Sequence, residues 1–302
     1  MLLKKALRKI VITTFVIFVI LTIYMIPSLN KKDDKTYNYI DTKDISVYLL
    51  NNYDQLTRVD FKVTNSKIEN VVDSIIKKLT ISNDATIPRM FIQIIPSNVK
   101  LNNVKVEENI AYLYFSKEFL DIANKDIETI VESICYSIFE LNEIKGVSIF
   151  VEDTNISELF DKDIPSLITK KYGINKRVEL NSFNDVSKVT IFYIDKEDDL
   201  DYYVPITKYV NDDREKIKII IDELSSNYVY ESNLISLLNR NTKLLDYEIK
   251  RDSIILDFNN SIFLEQKDVL EEVIYSIFAN YDINEIDFKV DGVLYLKKYQ
   301  WK

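Results

Sequence analysis

One segment of the chain occurs twice, and this repeat constrains the possible folds more than any other feature. The sequence Tyr-Ser-Ile-Phe at 136–139 recurs 139 positions later, at 275–278. Upstream of it, residues 109–115 align with residues 252–258 at a spacing of 143. Because one apolar pattern is kept at two different offsets, we interpret the repeat as a duplicated domain. The chain has 302 residues, 47% of them hydrophobic, which is enough for two separate cores.

The same order of strands and helices is predicted for both copies. Each copy opens with an apolar strand, at 45–50 and 189–194, and continues after an irregular connection with an amphipathic helix. A hairpin of alternating apolar residues, a second helix and a closing strand follow. The first helix is defined by apolar residues three and four positions apart, which are Ile68, Val71, Val72, Ile75, Ile76 and Leu79 in one copy and Ile217, Ile220, Ile221 and Leu224 in the other.

The predicted fold class is therefore α+β, with two tandem β-α-β-β-α-β domains behind an N-terminal transmembrane helix. Each domain is a split βαβ unit, in which two helices cover one face of a mostly antiparallel four-stranded sheet. The predicted organisation is a membrane anchor or uncleaved signal at 1–29, a stalk at 30–43, the first domain at 44–152, a partly ordered linker at 153–187, the second domain at 188–296 and a basic tail at 297–302. Within the linker, a short helix is predicted at 156–172.

The N-terminal segment is typical of a membrane anchor or an export signal. Met1–Lys9 is basic, and the following residues 10–26 carry no charge and would form a helix of about 26 Å. The segment lacks the small-x-small pattern of a cleavage site and a cysteine for lipidation, so an uncleaved single-pass helix is favoured over a cleaved signal. The excess of basic residues before it places the N-terminus in the cytoplasm and both domains outside.

Missing and rare residues exclude several classes of enzyme. The chain has no His, one Cys and three Gly. Without His it has no Ser-His-Asp triad, and so few glycines exclude the phosphate-binding loops of common nucleotide enzymes. The one cysteine, Cys135, lies among apolar helix residues and is interpreted as a small buried hydrophobe rather than a reactive thiol. We therefore predict no catalytic, cofactor-binding or metal-binding residues, and no cofactor.

The charge of the chain argues against a nucleic acid partner. The net charge is −9, and the four basic residues before position 10 contribute +4, so the remainder carries −13. Such a surface repels phosphate backbones and anionic lipids. Acidic clusters at 107–108, 197–201 and 212–213 leave a calcium site as an alternative, but 197–201 lacks the central glycine and spacing of an EF-hand. Solvated loops are the preferred interpretation.

Aromatic residues are predicted to lie in two loops, at 202–205 and 228–230. Aromatic residues in loops are typical anchors of protein interfaces, although ordinary packing is preferred in a chain with 20 tyrosines. The only tryptophan, Trp301, lies among lysines. It is interpreted either as a contact with lipid headgroups or as part of a frayed terminus.

Several short motifs together carry a family resemblance. They are the opening strand at 189–193, Glu223-Leu224 at the end of the first helix, the Ile-Pro turn and Lys-Leu strand at 95–101 with its counterpart at 241–245, the hairpin strand Ile255-Leu256-Asp257-Phe258 and the closing Val290-Asp291-Gly292. With these motifs the tandem unit resembles the sporulation and spore germination domain named after the germination protein GerM. The resemblance covers both copies.

The resemblance implies a non-enzymatic, membrane-anchored interaction or scaffold protein of bacterial sporulation or spore germination. It implies other sporulation envelope proteins as partners, and it is compatible with oligomers, because related small α/β modules pack side by side into rings. The alternative is a cell-wall-active protein that binds or hydrolyses peptidoglycan, which would require a cleft with convergent carboxylates and aromatic residues.

Overall fold

Two successive sets of strands and helices follow an N-terminal helix, α1 (Leu2–Met25). The structure, a computed structural model, describes residues 2–25, 41–182, 184–197, 200–226, 233–264 and 269–300. Copy 1 consists of β1 (Thr42–Leu50), β2 (Leu56–Thr64), α2 (Ile68–Leu79), β3 (Leu101–Glu107), β4 (Ile110–Phe115), α3 (Ile127–Phe139), β5 (Gly146–Val151) and β6 (Thr154–Asn155). A linker with strand β7 (Arg177–Glu179) precedes copy 2, which consists of β8 (Val186–Glu197), β9 (Leu200–Asn211), α4 (Lys216–Ser225), β10 (Leu234–Ile235), β11 (Leu244–Ile249), β12 (Ser253–Phe258), α5 (Val269–Asn280), β13 (Glu285–Val290) and β14 (Val293–Tyr299).

The opening hairpins of the two copies join into one shared sheet. Its strand order is β1-β2-β9-β8-β10, and β7 pairs in parallel with β9. Strands β2 and β9 are equivalent in the two copies and meet antiparallel, with Arg58 opposite Tyr203. The copies therefore associate through equivalent surfaces, as the subunits of an isologous dimer do. We call this junction, formed by β2, β9 and linker residues 168–179, the seam.

Each copy also has a four-stranded sheet of its own, in the order β3-β4-β5-β6 or β11-β12-β13-β14. Residues 110–115 pair in parallel with residues 146–151, and residues 253–258 pair in parallel with residues 285–290. These registers reproduce both sequence offsets, 143 for the first strand of each pair and 139 for the second. The strand pairing thus confirms the duplicated domain.

Amphipathic helices close a separate core in each copy. Helix α2 begins and ends at the ends of the predicted apolar stripe, and α4 buries the four apolar residues predicted for it together with Ile219. One cluster of buried apolar residues belongs to copy 1 and the linker, and a second belongs to copy 2. The clusters meet at the seam, where Phe192, Tyr203 and Tyr275 of copy 2 pack against the first.

The repeated serine of Tyr-Ser-Ile-Phe connects a helix to the opening strand in both copies. Ser137 Oγ in α3 accepts a hydrogen bond from the backbone N–H of Tyr48, and Ser276 Oγ in α5 accepts one from Phe192, each at 2.9 Å. Both serines are fully buried. These N–H groups lie on the side of the opening strand that faces away from its hairpin partner, so the serine satisfies a strand edge that would otherwise be unpaired.

The predicted sheet is wrong in one respect, because the opening strand does not belong to the four-stranded sheet. Strand β1 pairs with β2, and β8 pairs with β9. The segment of β2 was predicted to be an irregular connection, although its apolar residues Val59, Phe61 and Val63 alternate and are buried. In copy 2, β9 contains Pro205, which cannot donate to a sheet, and the segment forms a strand nonetheless.

The linker is ordered over residues 153–182 and 184–187 but does not form the predicted helix. It contains short 3₁₀ turns at Ile156–Glu158 and Lys170–Tyr172. Pro165 lies in the middle of the predicted helix and has no N–H for an intrahelical bond. The apolar residues pack as expected at Ile164 and Ile168, which are buried.

The structure does not support the predicted transmembrane helix. Within the described residues, none of the helices combines the length and the apolar character that crossing a membrane requires. Helix α1 includes the basic residues of the N-terminus in its first turns, which shortens its uncharged part. Residues Met1–Ile40 form one unit and Asp41–Lys302 a second.

Some predictions fall at or beyond the limits of the described residues. Most of the predicted stalk (30–43), the aromatic group at 228–230, the acidic residues 198–199 and Trp301 lie outside them. Residues 297–299, which were predicted as part of a basic tail, form the end of β14.

Candidate functional site

Asn175 ties the linker to both copies at the seam. Its side-chain amide donates to the carbonyls of Leu56 in β2 and Pro205 in β9, each at 2.8 Å, and its side-chain oxygen accepts the Leu56 N–H at 2.9 Å. Its backbone N–H donates to Glu132 in α3 at 2.8 Å. A φ of 48° puts the residue in the left-handed region, which asparagine tolerates better than most side chains. One residue thus fixes β2, β9 and α3 to each other.

Gly173 lets the linker approach β9 closely. Its φ is 89°, and a Cβ atom there would lie 2.9 Å from Cγ2 of Thr207. The next residue, Ile174, donates its N–H to Thr207 Oγ1 at 2.9 Å and accepts the Thr207 N–H at 2.9 Å. A larger residue at 173 would separate these two hydrogen-bonded segments.

A buried arginine, Arg58, gathers charged and aromatic partners at the seam. Its guanidinium lies 2.9 Å from Asp60, 3.6 Å from Glu140 and 4.6 Å from the centre of the Tyr275 ring. The hydroxyl of Tyr48 donates to Glu140 at 2.7 Å. Burial is the largest single influence on Arg58 and opposes its charge, but Glu140, Tyr275, Asp60 and Tyr48 together outweigh burial and raise the pKa. The guanidinium therefore stays charged and serves two carboxylates of copy 1 and a ring of copy 2 at once.

A cavity of about 610 Å³ opens beside Arg58, and its lining includes Asp44, Asp60 and Glu140. Asp60 and Glu140 both pair with Arg58, and Ser46 also donates to Asp60, at 2.6 Å. These two carboxylates thus take part in the contacts that hold the seam together.

A second polar cluster also crosses the seam. The buried carboxylate of Asp195 in copy 2 accepts hydrogen bonds from Asn51 of copy 1 at 3.0 Å and from Asn233 of copy 2 at 3.2 Å. Asn233 donates in addition to Gln55 of copy 1 at 2.9 Å. A buried carboxylate needs such donors to offset its loss of hydration, so the cluster favours the joined arrangement of the copies.

The aromatic residues predicted to lie in a loop at 202–205 lie in strand β9 instead. The ring of Tyr202 packs edge-on against Phe91 of copy 1 at 4.8 Å, and the ring of Tyr203 packs against Tyr275 at 4.9 Å. The Tyr203 hydroxyl donates to Glu271 at 3.0 Å. Tyr202 thus packs across the seam onto copy 1, and Tyr203 lies opposite Arg58 where β9 meets β2.

The three acidic clusters predicted from the sequence lie in different parts of the fold. Glu107 and Glu108 lie at the turn between β3 and β4. Asp212 lies before α4, where a hydrogen bond from Arg214 lowers its pKa. Of the cluster at 197–201, Asp201 lies 4.0 Å from Lys196. Within the described residues, no group of three or more His, Cys, Asp or Glu is arranged to hold a metal ion.

Cys135 lies fully buried in the core of copy 1, as predicted. Burial raises the pKa of its thiol well above the ordinary value, and the nearby Glu132 acts in the same direction. A thiol held protonated in this way is a poor nucleophile.

Strand β14 forms an edge of the copy 2 sheet and exposes apolar side chains. It pairs with β13 on one side, and no strand among the described residues pairs with its other side. The exposed apolar residues are Val293, Leu294, Tyr295 and Tyr299, of which Val293 is 70% exposed. In copy 1 the corresponding strand, β6, has only two residues. The exposed edge therefore has no full counterpart in copy 1.

Sequence reasoning missed the residues that hold the seam together. The alternation of Val59, Phe61 and Val63 was a usable signal for a strand carrying Arg58. Asn175 gave no comparable signal, because its side chain bonds to residues 119 and 30 positions away. Pairings of that separation do not follow from the pattern of a single sequence.

The fold and the seam define a class of α+β proteins built from a tandem domain repeat, and comparison with known proteins agrees. The family profile described as Germane, sporulation and spore germination, matches residues 46–157 and 190–295. This chain belongs to that family.

A sequence match and a structural match, both to GerM of Bacillus subtilis, illustrate the similarity. The chain is 25% identical over 219 residues to the spore germination protein GerM of Bacillus subtilis (strain 168), a match that covers 68% of this chain and 60% of that protein. The chain thus matches somewhat less than two thirds of the length of that relative. A solved structure of the tandem GerMN domains of the sporulation protein GerM from Bacillus subtilis matches with a TM-score of 0.74 at 23% identity, covering 84% of this chain and 92% of that one. This likeness establishes the tandem α+β fold.

Proposed function

We propose that this protein is a non-enzymatic interaction protein that docks onto another protein of the cell envelope during sporulation or spore germination. The observation that carries the proposal is the exposed apolar edge strand β14, in a chain of a sporulation and germination family. An open strand edge presents unpaired N–H and C=O groups that a strand of a second protein can extend, and the exposed side chains add specificity. The occupant we propose is a β-strand of such a sporulation or germination protein.

The seam supports a scaffold role in a different way. Three separate contacts join the parts of the chain: Arg58 of copy 1 lies over the Tyr275 ring of copy 2, Asp195 of copy 2 accepts from Asn51 of copy 1, and Asn175 of the linker donates to Pro205 of copy 2. These contacts fix the orientation of the copies, and a fixed orientation suits a protein that positions partners.

Capture of partners from sporulating cells tests the docking strand. The full chain serves as bait beside a Val293→Lys/Leu294→Lys variant, and beside a matched control, Leu245→Lys/Ile249→Lys, in which exposed apolar residues lie on β11. We expect the β14 variant to recover at least tenfold less of a partner that the control recovers as well as the wild type does. The affinity of that purified partner should fall in the same way for the β14 variant alone. Equal recovery by all three proteins would contradict the proposal, as would a self-associated chain as the only captured species.

A cell-wall-active protein is the second candidate, because three carboxylates line the cavity beside Arg58. Incubation of the full chain with purified peptidoglycan tests this function. Released muropeptides that disappear in a Glu140→Gln variant would favour hydrolysis over docking. Intact peptidoglycan is the result expected from the docking proposal.

The proposal places both copies outside the cytoplasm, which is supported by the basic residues that precede the apolar part of α1. The buried Cys135 makes the test specific, because a Lys62→Cys variant would have one accessible thiol among the described residues. We expect a membrane-impermeant maleimide to label this variant in intact cells. Labelling only after lysis would contradict an extracytoplasmic location.

A further inference from the structure

A groove of about 340 Å³ opens where the two copies and the linker meet, and lysines dominate its lining. Lys145 comes from copy 1, Lys170 and Lys171 from the linker, and Lys188 and Lys216 from copy 2. Asp282 is the only carboxylate of the described lining. The groove therefore exists only when both copies and the linker come together. Its lining is positively charged, although the chain as a whole is acidic.

Most of the positive charge in the groove is not neutralised. Lys145 pairs with Asp282 at 2.6 Å, whereas the other four lysines form no ion pair with a described residue. Lys170 donates to the carbonyl of Phe278 at 3.1 Å, and Lys188 donates to the carbonyl of Tyr172 at 3.0 Å. Backbone carbonyls orient these ammonium groups but do not cancel their charge.

The environment of the groove also shifts the pKa values of its lysines. Burial lowers the pKa of Lys170, and Lys145 lowers it further, while the nearby Glu140 opposes the shift. Burial lowers the pKa of Lys216, the adjacent Glu215 opposes this shift, and Lys171 and Lys188 lower the pKa further. Burial is the main cause of both shifts and the neighbouring lysines add to it, so an anion in the groove would stabilise the charged form of these lysines.

We propose that this groove binds a phosphate group, carried by a small soluble compound or by a lipid headgroup. Several converging ammonium groups match an anion with more than one negative charge better than a single carboxylate. The volume lies at the lower end of the range of small-ligand sites, which fits one or two phosphate groups. This inference goes beyond the docking role of β14, since the groove and β14 use different residues.

Calorimetric titration of the full chain with inorganic pyrophosphate tests the proposal. The variant Lys171→Gln/Lys216→Gln removes two groove charges while leaving the carbonyl-bound Lys170 and Lys188 in place. The control Lys62→Gln/Lys67→Gln removes the same charge from exposed lysines outside the groove. We expect the groove variant to bind at least tenfold more weakly than the wild type, and the control to bind within about twofold of it. Unchanged circular dichroism and melting temperature show that the variants are folded.

Vesicles separate the two sources of phosphate. Vesicles with phosphatidylglycerol are compared with vesicles of phosphatidylcholine alone for all three proteins, because α1 can bind lipid without the groove. Loss of the phosphatidylglycerol preference in the groove variant alone assigns a headgroup, and loss of pyrophosphate binding alone assigns a soluble ligand. The proposal is overturned if neither probe binds, or if the control variant weakens binding as much as the groove variant does.

A pH series gives a readout that general charge attraction would not give. Burial, and after it the nearby Lys176, lowers the pKa of Lys188 to about 8, while Glu132 opposes this shift. Lys216 and the ring of Tyr209 also lie close to Lys188. Lys188 therefore loses its proton as the pH rises through 8. We expect pyrophosphate affinity to fall between pH 7 and 9.5, although pyrophosphate itself becomes more negative over that range. Constant or rising affinity would count against binding at Lys188.

Discussion

At the residue scale, the serine of Tyr-Ser-Ile-Phe makes the same two hydrogen bonds in both copies. Its hydroxyl accepts the N–H of the opening strand and donates to a carbonyl one helical turn earlier, at 2.7 Å for Ser137 and 2.6 Å for Ser276. Both roles need a small hydroxyl at a fully buried position, which alanine or a larger residue cannot supply.

Removing either hydroxyl tests this role. We expect Ser137→Ala and Ser276→Ala each to lower the free energy of unfolding by about 1–3 kcal/mol, because a buried strand N–H is left without an acceptor. Urea denaturation measures the loss. Ser74→Ala is the control, since Ser74 Oγ bonds only to a carbonyl of its own helix on an exposed surface. A control as destabilising as the two buried substitutions would show that the strand contact adds nothing.

At the element scale, what the sequence predicted and what it missed have distinct physical causes. Helix α2 and the equivalence of the hairpin and closing strands in the two copies were predictable because local periodicity and the repeat offsets determine them, but the parallel pairing of those strands was not predicted. Strand β2 was missed because its alternating apolar residues were taken for an irregular connection. The sharing of one sheet by both copies could not be predicted, because it depends on long-range pairing such as Arg58 opposite Tyr203.

The close approach of the linker to β9 leads to a prediction about glycine. Gly173 has φ 89° and ψ 170°, a region open essentially to glycine alone, and it also lies against Thr207. Gly292 has a similar φ of 81°, with nothing within 4 Å of a Cβ atom placed there. We expect Gly173→Ala to lower the free energy of unfolding by about 1–2 kcal/mol more than Gly292→Ala, as measured by thermal denaturation. Equal losses would show that the linker does not need this close approach.

At the scale of the whole molecule, the copies combine independence with a fixed mutual orientation. Each has its own buried apolar cluster, whereas the contacts described at the seam are largely polar and aromatic. Polar contacts between preformed units specify geometry more than they supply folding energy. The exposed strand β14 and the lysine groove are both held in place by this arrangement, although only the groove is built from both copies.

Unfolding of copy 2 produced alone, as residues 186–300, tests most directly whether each copy has a self-sufficient core. The range extends the predicted domain of 188–296 because β8 begins at Val186 and β14 ends at Tyr299. We expect a soluble fragment with a single cooperative thermal transition and a near-ultraviolet circular dichroism spectrum typical of fixed packing. A fragment that binds hydrophobic dyes and melts without a cooperative transition would contradict two separate cores, because it would show that copy 2 depends on copy 1 to fold.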